Sequence, residues 1–591
     1  MPHREHLHTL RPASALNESV IKERYTRQRL VKDVIAGLTV GIIAIPLAMG
    51  LAVSSGVPPQ HGLYTAIIAG IIAAVLGGSR LSVSGPTAAF VVILEPVAHR
   101  YGLAGLTVAS LAAGLIMVLF ALAKLGRLIE FIPEPVTLGF TSGIAISIAV
   151  LQLPDFFGLH VKLPEAFVGK AVALFGAART LDWPTLVVGA TTLAVLIVWP
   201  KAKIKLPPHL PAVLVGIGVS LVLARLGHPV ATIGSRFSFL LPGGRLGHGI
   251  PSSLPHFALP WNLPGPTGHP LVWSFETVRS LLTTAFSIAM LGAIESLLCA
   301  VVLDGMTGRR HHANGELLGQ GIANIVSPFF GGITSTAAIA RSAANWRAGA
   351  ESPIAAVVHA LVVLAAIVAL APALAFMPMA TMAALLLRVA WNMSEARKAV
   401  ALVRKAPLGD VLVLLVCLSL TVLLDMVVAI TVGVVLASLL FMRDVSRLTV
   451  VRDLGDNRKH VPQPLPEGWA AIKLDGPLFF AAAERVFSEL TAMVAGRRGV
   501  ILYMDSVRII DAEGLSTLSR FIEACAAKHV ELVVADLQSQ PIETLVRAGM
   551  QPVPGSLCFT PTLGAALDYV AGRCADGALC PLDLRELQAA G

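Results

Sequence analysis

Two short stretches, SVSGPTAAF at residues 82–90 and GGITSTAAIAR at residues 331–341, decide how this chain is read. Each lies in an apolar segment, about 86–97 and about 335–345, that falls short of the roughly 20 helical residues a bilayer crossing needs. Pro86 suits the first turn of a helix, where its missing N–H is no loss, and Gly85 permits a sharp turn ahead of it. Thr87, Ala88 and Ala89 are echoed by Thr336, Ala337 and Ala338, with Ser335 just ahead. Both stretches are therefore predicted to start helices inside a membrane. Such a start leaves up to four N–H groups unpaired and about half a positive elementary charge, so two facing starts can cradle an anion without any basic side chain. Close packing of small residues between membrane helices is the alternative.

Outward from these stretches, apolar segments fall at about 33–54, 60–79, 86–97, 103–123, 131–152, 183–200 and 209–227. A second set falls at about 274–302, 315–330, 335–345, 352–374, 377–391, 409–425 and 427–442. Two sets of seven, with the short segment third in each, predict an inverted repeat that places substrate between discontinuous helices near the midplane. The composition agrees: 55% hydrophobic residues, 14% charged residues and a mean hydropathy of +0.76 exclude an ordinary soluble globular protein. The net charge of +9 is no nucleic-acid footprint, because the basic residues sit in short clusters and form no stripe. If every segment crosses once, those clusters all fall on the side of the polar N-terminal tail, which predicts a multi-pass membrane protein with both termini in the cytosol.

The predicted organisation is a cytosolic tail (1–32), a membrane domain (33–442, halves 33–227 and 274–442 around an external loop 228–273), a linker (443–466), an α/β domain (467–575) and a C-terminal tail (576–591). Residues 394–407 read as an amphipathic helix on the interface or as a plain loop. In the α/β domain, strands are expected at 469–476, 499–507 and 530–537, with helices at 479–496 and 511–528 between them. The six cysteines lack CxxC spacing, and His3, His6 and His8 are loosely spaced in the tail, so neither a metal nor a cofactor is expected.

Glu295 lies deep in FSIAMLGAIESLLCAVVL, where an ionised carboxylate costs about 2.5–3.5 kcal/mol or more. Protonation beside an anion site would couple proton entry to anion entry; a salt bridge to Arg341 or sodium binding are the alternatives. Arg341, six residues past Ser335, is expected about two turns down the second short helix, either adding fixed positive charge below the site or anchoring the helix end. Glu95, Asp304 and Asp425 read as solvated helix ends.

VSGPTAAFVVIL (83–94), FSIAMLGAIESLLCAVVLDGMTG (286–308), VAWNMSEA (389–396) and GPLFFAAAE (476–484) resemble the SLC26/SulP anion transporter family over nearly the whole chain. The resemblance implies a membrane domain of about 14 segments in a seven-plus-seven inverted repeat, divided into core and gate domains, with a C-terminal cytosolic STAS domain. It further implies a homodimer that transports by an elevator movement, a non-enzymatic function. The family's binding residues map to Ile45, Pro46 and Leu47, to Thr87, Ala88 and Ala89, and to Ser335, Thr336 and Ala337, with Glu295 at the acidic position; Leu47 stands where relatives carry a polar Gln. Within the family the runs resemble a bacterial C4-dicarboxylate branch, which implies proton-coupled uptake of succinate, fumarate or aspartate. Sulfate or bicarbonate transport, and a membrane scaffold whose STAS domain recruits a cytosolic protein, are the alternatives. In the STAS segment IIDAEGLSTL, Ala512 occupies the place of the serine that related anti-sigma-factor antagonists phosphorylate, which argues against that mode of regulation.

Overall fold

Proline and capping side chains set the helix boundaries. In the computed structural model, α1 (Arg27–Ser54) is capped by Thr26, and α2 (Pro59–Leu76) begins with proline at its first position. The structure describes residues 11–126, 132–202, 206–240, 246–266, 268–455, 457–572 and 584–585, so His3, His6, His8, Cys574 and Cys580 lie outside the described residues. The first half continues with β1 (Ser84–Gly85), α3 (Ala88–Leu122), α4 (Glu134–Phe157), α5 (Phe167–Ala177), α6 (Trp183–Val198) and α7 (His209–Arg225). A hairpin of β2 (Ser238–Leu240) and β3 (Leu246–His248) follows in the loop between the halves. The second half comprises α8 (Phe275–Thr307), α9 (Ala313–Val326), β4 (Thr336–Ala337), α10 (Ile339–Arg347), α11 (Ile354–Ala369), α12 (Met379–Met393), α13 (Ala396–Lys405), α14 (Leu408–Leu423) and α15 (Met426–Leu448).

Among the described residues, seven helices are long and apolar enough to cross a membrane, and α7, α11 and α14 are shorter apolar helices. The separate segments expected at 86–97 and 103–123 form one helical run, α3, broken at Gly102. Gly102 has φ +65°, and a Cβ there would meet the Gly265 backbone at 2.3 Å, so the break depends on a residue without a side chain. Counting α3 as two segments, and leaving out α5 and α13, which lie between the predicted apolar segments, restores seven in each half. The helices sort into two groups: α1, α2, α3, α8, α9 and α11 pack on one another, and α4, α6, α12 and α14 form the second group with α7.

The C-terminal unit, Val435–Gly591, is built on a five-stranded sheet. Its strands are β5 (Val450–Asp453), β6 (Trp469–Asp475), β7 (Gly499–Tyr503), β8 (Glu531–Ala535) and β9 (Leu557–Thr560), in that spatial order, with β5 antiparallel and the rest parallel. Part of the stretch read as linker thus supplies the edge strand. Strand alternation divides the core: Val500, Leu502, Leu532 and Val534 face α16 (Phe480–Met493), α17 (Ala512–Ala527) and α18 (Ser539–Arg547), whereas Ile501, Val533 and Ala535 face α19 (Leu563–Val570). Ala512 is the first residue of α17, after the capping carboxylate of Asp511, which accepts from Gly514 N at 2.8 Å.

Candidate anion site at the crossing of two broken helices

The two stretches that decided the reading meet. β1 and β4 pair antiparallel, with Ser84 opposite Ala337 and Gly85 opposite Thr336, and each strand then leads into its helix. The helix starts differ from the sequence expectation. Thr87 is the N-cap of α3 and Ala88 its first residue, so Pro86 lies one residue outside the helix rather than in its first turn. In the second stretch Ala338 is the N-cap and Ile339 the first residue of α10, so Thr336 and Ala337 are strand, not helix. Strand pairing wins here because it satisfies backbone groups that have no water available inside a bilayer.

Arg341 is corrected in the same way. It sits at the third position of α10, only 6% exposed, and its Nη2 donates to the Pro86 carbonyl at 2.8 Å. It therefore ties the second break to the first and neither anchors a helix end nor lies two turns down. Among the described residues no ion pair within 4 Å joins it to Glu295. Gly85 adopts φ +153°, and a Cβ at this position would come within 2.7 Å of Arg341 Nη1. Only glycine leaves room for the guanidinium.

α8 carries the other half of the site. Thr87 Oγ1 donates to Glu295 Oε2 at 3.0 Å, and Glu295 is partly exposed although it lies mid-helix. One residue on, Ser296 Oγ and Thr336 Oγ1 are 2.6 Å apart, and Thr336 Oγ1 also donates to Gly292 O at 3.2 Å. A single helix thus touches both breaks. Ala88, Ala89 and Ala337 are buried at 5%, 1% and 1% exposure, which brings backbone close to whatever occupies the crossing. Ser335 is fully buried, and its Oγ has no hydrogen-bond partner among the described residues. An unpaired buried hydroxyl costs about 1–3 kcal/mol, a cost that a ligand accepting from it would remove.

Among the described residues, Ile45, Pro46 and Leu47 make no hydrogen bond into this crossing. Ile45 belongs to an apolar cluster with Leu63 of α2 and Met382 and Leu385 of α12, where the two helix groups meet; Leu47 packs against that cluster, half-buried. Pro46, inside α1, leaves one carbonyl of the preceding turn without its helical donor.

Sequence reasoning missed the stripe that holds the crossing in place. Glu316, Gln320 and Asn324 recur every four residues along α9 and are all at most 1% exposed. Glu316 Oε2 accepts from Gly78 N and Ser79 N at 3.0 and 2.9 Å, and Gln320 Nε2 donates to Ser84 Oγ at 2.6 Å. Asn324 takes both backbone groups of Ser335, accepting from its N–H at 2.8 Å and donating to its carbonyl at 2.9 Å. The spacing in ELLGQGIANIV was the available signal: three amide or acid side chains at i, i+4 and i+8 in an apolar run share one helix face. On α10, Ser342 Oγ accepts from Val83 N at 2.9 Å and Asn345 Nδ2 donates to Leu81 O at 3.2 Å, completing the clamp.

Of the three carboxylates read as solvated ends, each has a local partner. Glu95 lies 3.5 Å from Lys170 and 3.6 Å from His99, Asp304 accepts from His311 Nδ1 at 2.8 Å, and Asp425 caps α15 by accepting from Val427 N and Val428 N.

Comparison with known proteins agrees with this architecture. Residues 30–417 match the model of the sulfate permease family, and residues 464–566 match that of the STAS domain. The putative sulfate transporter YvdB of Bacillus subtilis is 37% identical over 530 residues, covering 89% of this chain and 95% of that protein. The bicarbonate transporter BicA of a Picosynechococcus species is 29% identical over 588 residues, covering 93% and 97%. Among solved structures, the transmembrane domain of a cyanobacterial BicA aligns with a TM-score of 0.59 at 28% identity, over 68% of this chain and 98% of that one. SLC26A9 aligns with a TM-score of 0.77 over 95% and 93%, at 17% identity, a likeness of fold. The chain belongs to the sulfate permease family of multi-pass membrane anion transporters, with a C-terminal STAS domain.

Proposed function

We propose that this protein takes up C4-dicarboxylates such as succinate, fumarate and aspartate together with protons, binding the anion at the β1/β4 crossing. The observation that carries the reading is the hydrogen bond from Thr87, at the start of α3, to the carboxyl group of Glu295 in the middle of α8. A carboxyl so placed repels an incoming anion when ionised and admits it when protonated, which links the two movements. Ser335 Oγ, the N–H groups opening α3 and α10, and Arg341 behind them supply the attraction. Ile45, Pro46 and Leu47 form the facing wall. The group built on α1, α3, α8 and α9 then acts as the moving core against the α4, α6, α7 and α12 gate, an elevator working within a homodimer in the inner membrane with both termini cytosolic. The STAS domain serves as the docking face for a cytosolic partner.

Uptake of labelled succinate into proteoliposomes, with and without an inward proton gradient, tests the reading. Stimulation by the gradient that disappears in Glu295→Gln is expected; gradient-independent uptake by the unmodified protein refutes the coupling. A second reading, sulfate or bicarbonate as substrate, is favoured by the transport named for YvdB and BicA. A backbone cradle recognises charge more than skeleton, so either anion can use the same groups. Competition decides: sulfate or bicarbonate that displaces succinate at lower concentration than succinate itself makes it the substrate.

A further inference from the structure

Away from the crossing, α4, α12 and α13 line an open cavity of about 460 Å³. Its walls include Ala145 and Ala149 of α4, Leu387 and Trp391 of α12, and Ala399 and Val400 of α13. The two serines on its edge are occupied internally, Ser142 Oγ donating to Ser394 O at 2.9 Å and Ser394 Oγ to Trp391 O at 2.8 Å. The cavity therefore offers hydrocarbon contacts and little else.

α13 explains what stands beside it. At about 100° per residue, Ala396, Ala399, Val400 and Val403 share one side of the helix, and Arg397, Lys398, Arg404 and Lys405 share the other. No residue of α13 is buried, and Val400, Val403 and Trp391 are 49%, 47% and 64% exposed. Lys398 is paired with Glu395, whereas Arg397, Arg404 and Lys405 make no ion pair among the described residues. Arg397 and Arg404 are seven residues apart and so stand one above the other, on the flank next to Val400. An amphipathic helix with a bare apolar side and uncommitted cations lies in a membrane interface rather than against protein.

We infer that the cavity is a binding site for an anionic phospholipid, with one acyl chain in the slot and the headgroup phosphate held by Arg397 and Arg404. Charge complementarity selects this occupant: a zwitterionic lipid carries the same phosphate but adds a quaternary ammonium that the two guanidinium groups repel, and a second copy of this chain would have to bring an acidic face. Because α4 and α12 belong to the same helix group, the lipid would brace that group on its outer side. This inference does not depend on the transported substrate.

Native mass spectrometry of the full-length protein, titrated with phosphatidylglycerol and with phosphatidylcholine, tests the assignment. Preferential retention of phosphatidylglycerol is expected, and Arg397→Gln with Arg404→Gln should weaken it roughly twenty-five-fold, on a scale of about fivefold per cation removed. Filling the slot with Ala145→Leu and Ala149→Leu should weaken both lipids. Equal retention of the two lipids by the unmodified protein, or retention of phosphatidylglycerol unchanged in both variants, overturns the proposal. Phosphatidylglycerol brominated on its acyl chains gives a readout that needs no disruptive substitution: quenching of fluorescence present in the unmodified protein and lost in Trp391→Phe supports the site, and its absence overturns it. Cross-linking between copies through Ala399→Cys would assign the slot to a protein interface and equally overturn it.

Discussion

The two breaks at the crossing occupy equivalent places in the fold, yet they are held in different ways. The antiparallel pairing of Ser84 with Ala337 and Gly85 with Thr336 defines a local two-fold, under which Ser84 corresponds to Thr336, Gly85 to Ala337 and Ala89 to Arg341. The Thr-Ala-Ala triplets that look alike in the sequence are thus three residues out of structural register. On the second side Asn324 holds Ser335 and Ser296 holds Thr336, and α10 itself carries Arg341, Ser342 and Asn345, which reach across to the first stretch. On the first side the holding groups come from α9 and α10, with Gln320 on Ser84, Ser342 on Val83, Arg341 on Pro86 and Asn345 on Leu81, while Gly85 supplies shape, Thr87 caps α3 without a side-chain bond to its backbone, and its own hydroxyl is committed to Glu295. The second break is a fixed bracket, and the first is the side on which the coupling carboxyl acts.

The sharpest way to break this comparison is to loosen the bracket. Asn324→Ala leaves both the N–H and the carbonyl of Ser335 buried without partners, at about 1–3 kcal/mol for each. Loss of uptake with a large drop in the melting temperature of the purified protein is expected; a near-normal melting temperature would mean that the bracket is not rigid. The next largest effect separates two structurally equivalent positions. Gly85→Ala places a side chain against Arg341 at a positive φ and should cost about 1–3 kcal/mol while displacing the guanidinium from Pro86 O. Ala337→Gly, its counterpart, should cost only about 0.5–1 kcal/mol, the usual backbone penalty of an added glycine. Equal melting temperatures for the two variants would dissolve the asymmetry.

The fold was legible because its signals are long-range in number and short-range in kind: runs of apolar residues, two of them too short, with Gly-Pro or Ser-Thr ahead of each. Glu295 and Thr87 were legible for the same reason, being polar groups where the bilayer tolerates few. Arg341 was misplaced because helix counting began at Ser335, and only the β1/β4 pairing, a contact between residues some 250 apart in the chain, moves the start of α10 to Ile339. Gln320 and Asn324 escaped because uncharged amides in an apolar helix lower its hydropathy too little to be noticed, although their buried partners are what fixes the site. In the C-terminal unit the three central strands stood out by their apolar runs, and β5 did not: it is a four-residue edge strand, VVRD, with one face in solvent.

Smaller effects refine the comparison. Thr87→Val keeps the shape and removes the donor to Glu295, a loss of about 1 kcal/mol, so the KM for succinate should change with little movement of the melting temperature. Thr336→Val should do the reverse, lowering the melting temperature more, because it strips a contact with Ser296 and one with Gly292 from the bracket.

The smallest expected effect lies at the outer end of the bracket. Glu351, in the connection from α10 to α11, accepts a hydrogen bond from Lys32 and lies 2.9 Å from Arg29 Nε; the bond from Lys32, followed by the attraction of Lys32 and Arg29, outweighs its partial burial and holds the carboxyl below the usual carboxylate range. A carboxyl depressed on folding stabilises the folded state above its unfolded pKa, and that contribution fades as the pH falls through the folded value. The pair is near the surface and screened, so Glu351→Gln should lower stability at neutral pH by about 1 kcal/mol or less and remove the corresponding acid-side loss, with KM unchanged. Melting curves between neutral and acidic pH, set against uptake by the same variant, check both parts. A change in KM would mean that the clamp at the crossing extends to the membrane face, and the bracket would then be a lever rather than a fixed support.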